Sequence, residues 1–309
     1  MSNIHPSAVV EAGAQIAPDA EIGPFCFVGR HVRIGAGTRL VSHVSVLGRT
    51  RIGSHNTIYP QATLGAEPQD LKFAGEDSTL DIGDHNDIRE NVTIHLGTSN
   101  GGGATVVGSH NLLMVGCHVA HDCVVGNRVL LANNVLLAGH VKVEDFANIA
   151  GMVGVHHFCT IGSFSFVGGM TPVVKDVPPF IVFDGDPGRE KSINTIGLER
   201  HGFSPETILH LKDAFKRLFR SERIVIAGKS KTVINFADQL SLVESEFHAD
   251  ANVQTLCRFL RNRASGTSGR YRETLRKDER RKRGFAETLQ SQAIQSPPAA
   301  DVRAARVSA

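Results

Sequence analysis

Between Ile4 and Leu64, every sixth residue is Ile, Leu or Val: Ile4, Val10, Ile16, Ile22, Val28, Ile34, Leu40, Val46, Ile52, Ile58 and Leu64. The phase resumes at Ile82, Ile88 and Ile94. It restarts one residue out of step at Val107 and runs without a miss through Leu113, Val119, Val125, Leu131, Leu137, Val143, Ile149, Val155, Ile161, Val167 and Val173. Period six fits neither a helix nor a long strand that alternates at two. It fits short strands joined by tight corners, with one inward side chain per side. Glycine often follows the apolar residue (Ile22-Gly23, Ile34-Gly35, Val125-Gly126), and a small residue there is expected to let the chain turn. The pattern predicts a hexapeptide parallel β-helix, in which about 18 residues complete one triangular coil. Successive coils lie about 4.8 Å apart.

Two segments break the rhythm. Residues 65–80 put the polar Asp70 and Glu76 where inward side chains belong, and residues 95–105 shift the phase and contain Gly101-Gly102-Gly103. Both read as loops thrown out from a corner. Long loops on a rigid scaffold tend to be functional, so the first is expected to reach a ligand or a neighbouring subunit; the alternative is a tolerated surface insertion. The repeat stops at Pro178-Pro179, because paired prolines cannot continue a ladder. Helical signals follow at 191–201, from the Ser204 cap and Pro205 onward, at about 230–247, and at 252–263. The expected organisation is a β-helix over 1–185, a helical module over 186–263 that caps the open prism, and a basic tail over 264–309. That tail reads as a disordered, solvated extension, the alternative being a surface for acidic partners or lipid headgroups.

Composition changes the picture in a few places. Hydrophobic residues make up 41% of the 309 residues, enough for a packed core. Lys and Arg number 33 against 31 Asp and Glu, which argues against a nucleic-acid-binding surface. The chain shows no apolar run of membrane-spanning length and no secretory leader pattern, and its cysteines lack CxxC spacing. A cytoplasmic protein with reduced thiols is expected.

The fifteen histidines are not spread evenly, and five of them fall between residues 118 and 157. With one coil every 18 residues, His121, Gly139 and His157 stack along one edge. His140 and His156 flank that column, and His118 lies close to it. Spacing alone therefore predicts a polar groove along one corner. Three readings of the groove compete. The histidines could satisfy backbone groups only. They could hold zinc, as in the trimeric β-helix carbonic anhydrases that share this architecture, although His118-x-x-His121 is not that family's pattern. Or one could be a general base beside an anionic substrate.

The segment HVAHDCVVGNRVLLANNVLLAGHVKVEDFANIAGMVGVHHFCTIG at 118–162 closely resembles the UDP-N-acetylglucosamine O-acyltransferases that begin lipid A synthesis. So do PQDLKFAGE at 68–76, IRENVTIHLGT at 88–98, GGGATVVGSHNLLM at 101–114 and GLERHGFS at 197–204. The resemblance spans about residues 2–263. It implies a left-handed prism and a homotrimer with sites between subunits. It also implies transfer of an (R)-3-hydroxyacyl group from acyl carrier protein to the 3-OH of UDP-N-acetylglucosamine, without metal or cofactor. By motif match, His121 is the base, Asp122 holds its tautomer, and the Gly139 N–H receives the oxyanion. His118, His140 and His156 would line the sugar and acyl-chain clefts, and His157 would stand at the nucleotide end. Gln69, Asp70 and Lys72 would reach across to the adjacent subunit and grip the sugar nucleotide, and Asn194 and Arg200 would meet the nucleotide and the phosphates or the carrier. Gly169 would leave the acyl cleft open to a longer chain. The family commonly has Gln, Glu and Arg where His157, Ile196 and His201 stand here. A 3-amino sugar acceptor and a non-catalytic hexapeptide scaffold stay as alternatives.

Overall fold

The computed structural model describes residues 3–220, 224–227, 230–233, 235–266, 269–270 and 272. The period-six residues build a left-handed parallel β-helix of three sheets, one 11-stranded and two 8-stranded. Register follows the coil arithmetic: Ile4 pairs with Ile22, and Ile22 with Leu40. Where the first loop intervenes, Ile58 pairs with Ile88; past the second, Ile94 pairs with Val119. The loops therefore lengthen single coils without disturbing the stack of inward residues, and the register shifts only at the mouth of the first loop, where Leu64 pairs with Ile94 but Ala66 with His95.

Each inward residue meets its counterpart one coil above. Leu40, Ile58, Ile88, Leu113, Leu131 and Ile149 are wholly buried in one such column. A polar ladder runs beside them. Asn86 donates through Nδ2 to Asn56 Oδ1 at 2.9 Å, and Asn111 donates its N–H to Asn86 Oδ1 at 2.9 Å. Buried amides stacked in this way satisfy one another, which a buried polar group requires.

The corners differ from the sequence expectation. The left-handed turn conformation is taken mostly by non-glycine residues, among them His55, His85, Asp122, His140 and Phe158 at φ of 55–64°. The glycines after the apolar residues instead serve close approach between coils: a Cβ on Gly35 would meet Gly53 O at 2.5 Å, and one on Gly83 would meet Gly108 O at 2.8 Å.

Beyond the prism, Ile181–Asp184 pairs in parallel with Phe166–Val167, and then antiparallel with Arg189–Ile193. The start of the expected 191–201 helix is thus strand, and helix α1 spans only Thr195–Arg200. Ser204 caps α2 (Pro205–Phe215) by accepting the Thr207 N–H. Residues expected to begin a helix near 230 form a hairpin, Ile224–Ala227 with Ser230–Val233, so α3 is Phe236–Glu246 with Asn235 as its cap. Helix α4 is Ala251–Ser265. Leu211, Leu240, Val243, Leu256 and Leu260 bury the inner faces of α2, α3 and α4 in a second core that begins at Phe180 and Ile181. The five cysteines are buried thiols, and burial pushes Cys123 and Cys159 up to about 12. Apart from Gly266, Gly269, Arg270 and Arg272 and the end of α4, the expected disordered tail lies outside the described residues.

Candidate active site

The strand His118–Val119 runs into a corner at His121 and Asp122, with Asp122 in the left-handed conformation at φ 60°. That turn sends the Asp122 carboxylate inward and leaves the His121 ring on the edge. His121 Nδ1 lies 2.7 Å from Asp122 Oδ2. A carboxylate only accepts, so Nδ1 carries the hydrogen and Nε2 keeps its lone pair. One coil above, Gly139 comes down onto the same ring: a Cβ there would sit 2.6 Å from Nε2 and 2.5 Å from Cε1. Only glycine leaves the imidazole its place. The Gly139 N–H has no acceptor among the described residues.

Asp122 is held from the other side by the second loop. Thr98 donates its N–H to Oδ1 at 2.8 Å and its hydroxyl to Oδ2 at 2.7 Å, while Thr105 Oγ1 accepts the Asp122 N–H at 2.8 Å. The phase-shifting insertion therefore folds back to clamp the carboxylate. Gly101 is obliged to be glycine there, since a Cβ would run into that carboxylate. Burial pushes Asp122 up, but the hydrogen bonds from His121 and Thr98 outweigh it and hold the carboxyl below its ordinary range.

Around this pair the other histidines act as supports. His118 Nδ1 meets Thr93 Oγ1 at 2.7 Å, and burial with the nearby His121 pushes its titration down. Behind it, His95 packs edge-on to His118 at 4.8 Å between ring centroids. Burial, with His118 and His121 adding to it, takes His95 down to about 4, and its Nδ1 is buried without a hydrogen-bond partner among the described residues. His140 Nδ1 is 3.8 Å from Asp122 Oδ2, and its ring stacks on Phe158 at 4.4 Å. His121 Nδ1, an Asp122 oxygen and His140 Nδ1 lie close enough together for a metal. However, Oδ2 already accepts from both His121 and Thr98 at 2.7 Å, so an ion would have to break the clamp. The donor set fits a hydrogen-bonded dyad better than zinc.

A cleft of about 470 Å³ opens over His121 and Gly139, walled by His118, His156 and Gln69 with Leu136, Val155 and Val173. Its walls combine these polar side chains with aliphatic ones. Of the sequence candidates, the structure brings together His118, His121, Gly139, His156 and Gln69 there, with Asp122 and His140 behind. His157 packs its ring against His156 at 3.9 Å instead of walling the cleft. Asp70 caps its own loop by accepting the Lys72 N–H at 3.1 Å, and neither residue reaches the cleft. Gly169 lies at an exposed corner, where a Cβ would meet Gly151 O at 3.5 Å. Asn194 and Arg200 wall a separate cavity of about 730 Å³ with Phe146, Phe164, Ile196 and His201. Sequence reasoning missed Thr98, although it lies in the quoted IHLGT segment, and it missed His95 in the same motif.

A family model described as UDP-N-acetylglucosamine O-acyltransferase, domain 2, matches residues 176–268, and one described as bacterial transferase hexapeptide matches 104–139. Solved structures align along nearly their whole length. LpxA from Acinetobacter baumannii is 40% identical over 86% of this chain and 98% of its own, with a TM-score of 0.78. UDP-N-acetylglucosamine O-acyltransferase (LpxA) from Moraxella catarrhalis is 43% identical over 84% and 96%, with a TM-score of 0.77. The UDP-N-acetylglucosamine acyltransferase of Arabidopsis is 35% identical over 84% and 96%, at 0.73.

Proposed function

The chain belongs to the UDP-N-acetylglucosamine O-acyltransferase family, and on that premise we propose that His121 is the base with which it acylates its sugar nucleotide. The enzyme transfers an acyl group to UDP-N-acetylglucosamine in lipid A biosynthesis. The donor in this reading is acyl carrier protein bearing an (R)-3-hydroxyacyl thioester, and the acceptor is the sugar 3-OH. The observation that carries it is the 2.7 Å bond from His121 to Asp122, which leaves Nε2 facing a cleft under Gly139.

A sugar hydroxyl is a weak nucleophile until its proton is taken. His121 Nε2 accepts that proton as the oxygen attacks the thioester carbonyl. The imidazolium that forms is stabilised by Asp122, itself held by Thr98. The carbonyl oxygen becomes an oxyanion, for which the unpaired Gly139 N–H is the donor; such a donor is typically worth about 3 kcal/mol. When the intermediate collapses, the ester forms, the carbon–sulfur bond breaks, and the imidazolium returns its proton to the thiolate.

The trimer is part of the proposal. Gln69 reaches the cleft of its own chain, while Asn194, Arg200, Asp70 and Lys72 stand elsewhere and would meet a neighbour's cleft and its nucleotide. The division into prism (1–185), helical module (186–263) and basic tail (264–309) belongs to the same reading, as does a cytoplasmic location. No helix among the described residues is long and apolar enough to cross a membrane.

The test is mass spectrometry of the product made by purified protein from UDP-N-acetylglucosamine and (R)-3-hydroxyacyl carrier protein. The reading expects one alkali-labile ester per sugar nucleotide. Transfer only to the 3-amino analogue, as an alkali-stable amide, would reassign the acceptor, and no transfer to either would overturn the reading.

A further inference from the structure

The cleft over His121 has no lysine or arginine in its walls among the described residues, yet both substrates of the proposed reaction carry phosphate. Within one chain, Arg200 walls a different cavity. A permanent positive charge does reach the rim, from just beyond the stretch matched by the family model, which ends at residue 268. After α4 the chain returns to the prism. Gly269, at φ 74°, lies so close to the Asp176 carboxylate that a Cβ would run into it. The next N–H, that of Arg270, donates to both Asp176 oxygens at 2.9 and 3.2 Å. Asp176 is buried, and its Oδ1 also accepts the Thr160 N–H at 2.8 Å. The anchor is therefore built from backbone, a buried carboxylate and an obligatory glycine, and it fixes where the following side chains start.

From that anchor, Arg270 Nη2 lies 3.3 Å from His156 Nε2. A guanidinium only donates, so Nε2 accepts and His156 carries its hydrogen on Nδ1. The Nδ1 contact to the His157 carbonyl at 3.4 Å agrees with that tautomer. Arg272 lies 5.5 Å over the Phe158 ring, which stacks on His140. The two guanidinium groups thus approach the histidine column at neighbouring points, one on a residue of the cleft wall.

We infer that Arg270 and Arg272 form an added anion site at the rim of the acyl-transfer cleft, taking a phosphate group of a bound substrate. Arginine suits this because its planar fork matches phosphate and its charge does not titrate away. The phosphate comes either from the diphosphate of the sugar nucleotide or from the phosphodiester of the carrier's pantetheine arm. This rests on the proposed reaction for the source of the phosphate, but not for the existence of the site.

The test titrates inorganic pyrophosphate, UDP and 4′-phosphopantetheine calorimetrically into full-length protein, wild type against Arg270→Ala and Arg272→Ala. Arg270→Ala keeps the backbone N–H on Asp176, so the anchor survives; Arg270→Lys is the second variant should the first not fold. Pyrophosphate affinity is expected to fall at least tenfold in Arg270→Ala and severalfold in Arg272→Ala. A matching loss for UDP assigns the nucleotide diphosphate, and one for 4′-phosphopantetheine assigns the arm. In turnover, the KM of the assigned substrate should rise by the same factor with kcat within about threefold. Unchanged pyrophosphate binding, or a fall in kcat with binding intact, would overturn the site and leave Arg270 only a prop for His156. Because calorimetry needs no turnover, wild-type protein that binds these anions through Arg270 but transfers no acyl group would refute the proposed reaction and leave the site standing.

Discussion

Replacing Thr98 with valine removes one hydroxyl from the clamp on Asp122 and little else. Thr98 is 1% exposed, and valine nearly matches its shape. The backbone N–H to Oδ1 at 2.8 Å survives, while the hydroxyl bond to Oδ2 at 2.7 Å is lost. A hydrogen bond to a charged group contributes about 1.5–3 kcal/mol. If that support reaches His121 through Asp122, kcat falls by about 10- to 100-fold, since 1.36 kcal/mol is one decade of rate. Stability should fall by a similar amount at neutral pH. The sign with pH follows from Asp122, whose folded titration lies below its ordinary value. A depressed carboxyl stabilises the fold above its unfolded value, and that contribution disappears as pH falls through the folded value. Without the hydroxyl, Asp122 titrates higher and contributes less. The stability gap between wild type and Thr98→Val is therefore widest at neutral pH and closes in acid. Urea unfolding from pH 7 down to pH 3, alongside kcat, reads both quantities, and Thr98→Ser should restore much of each. Activity within twofold of wild type, with a stability gap constant across pH, would mean Thr98 merely fills space.

Three further outcomes follow from the same geometry. His95, held down to about 4 chiefly by burial, costs stability as pH drops from about 6.5 towards 4, because the unfolded chain takes the proton first. At 1.36 kcal/mol per unit the loss is about 2–4 kcal/mol; His95→Gln should show a correspondingly flatter acid limb in urea titrations, and parallel curves would refute this. Gly139→Ala puts a methyl 2.5 Å from His121 Cε1, so the ring must move, and activity should drop by about 100-fold with the fold retained; near-normal kcat would show the contact to be harmless. Chelator treatment should leave turnover unchanged and elemental analysis should find no stoichiometric zinc, whereas zinc-dependent activity would replace the dyad reading of His121, Asp122 and His140.

The prism was legible because the period of six marks one inward residue per side with Ile, Leu or Val. The second buried residue, two positions earlier, was not, because small and polar residues such as Ala20, Cys26 and Asn56 also stand there. Ile22, Leu40 and Ile58 fall where the repeat puts them. The approach of Gly139 to His121 was also legible, since the 18 residues that separate them are one coil, which stacks the two positions. Local signals failed where a partner elsewhere decided the outcome. Arg189–Ile193 carries helix-compatible residues but pairs with Ile181–Asp184, and that ladder overrides propensity. The corner conformation at His55 or Phe146 could not be inferred from residue type, because the coil geometry imposes it on whatever stands there. Thr98 was hidden by the phase-shifting insertion, which scrambles the coil arithmetic between residues 95 and 105. Arg270 was hidden more completely, since its anchor on Asp176 spans 94 residues and falls after the repeat has ended.

The central claim is that the ring at position 121 takes the proton from the sugar hydroxyl. The direct test is single-turnover acyl transfer by His121→Ala, with sedimentation and thermal melting on the same sample. The account predicts a rate loss of about a thousandfold or more with assembly and melting preserved. A variant that keeps its assembly and transfers acyl groups within tenfold of wild type would contradict it.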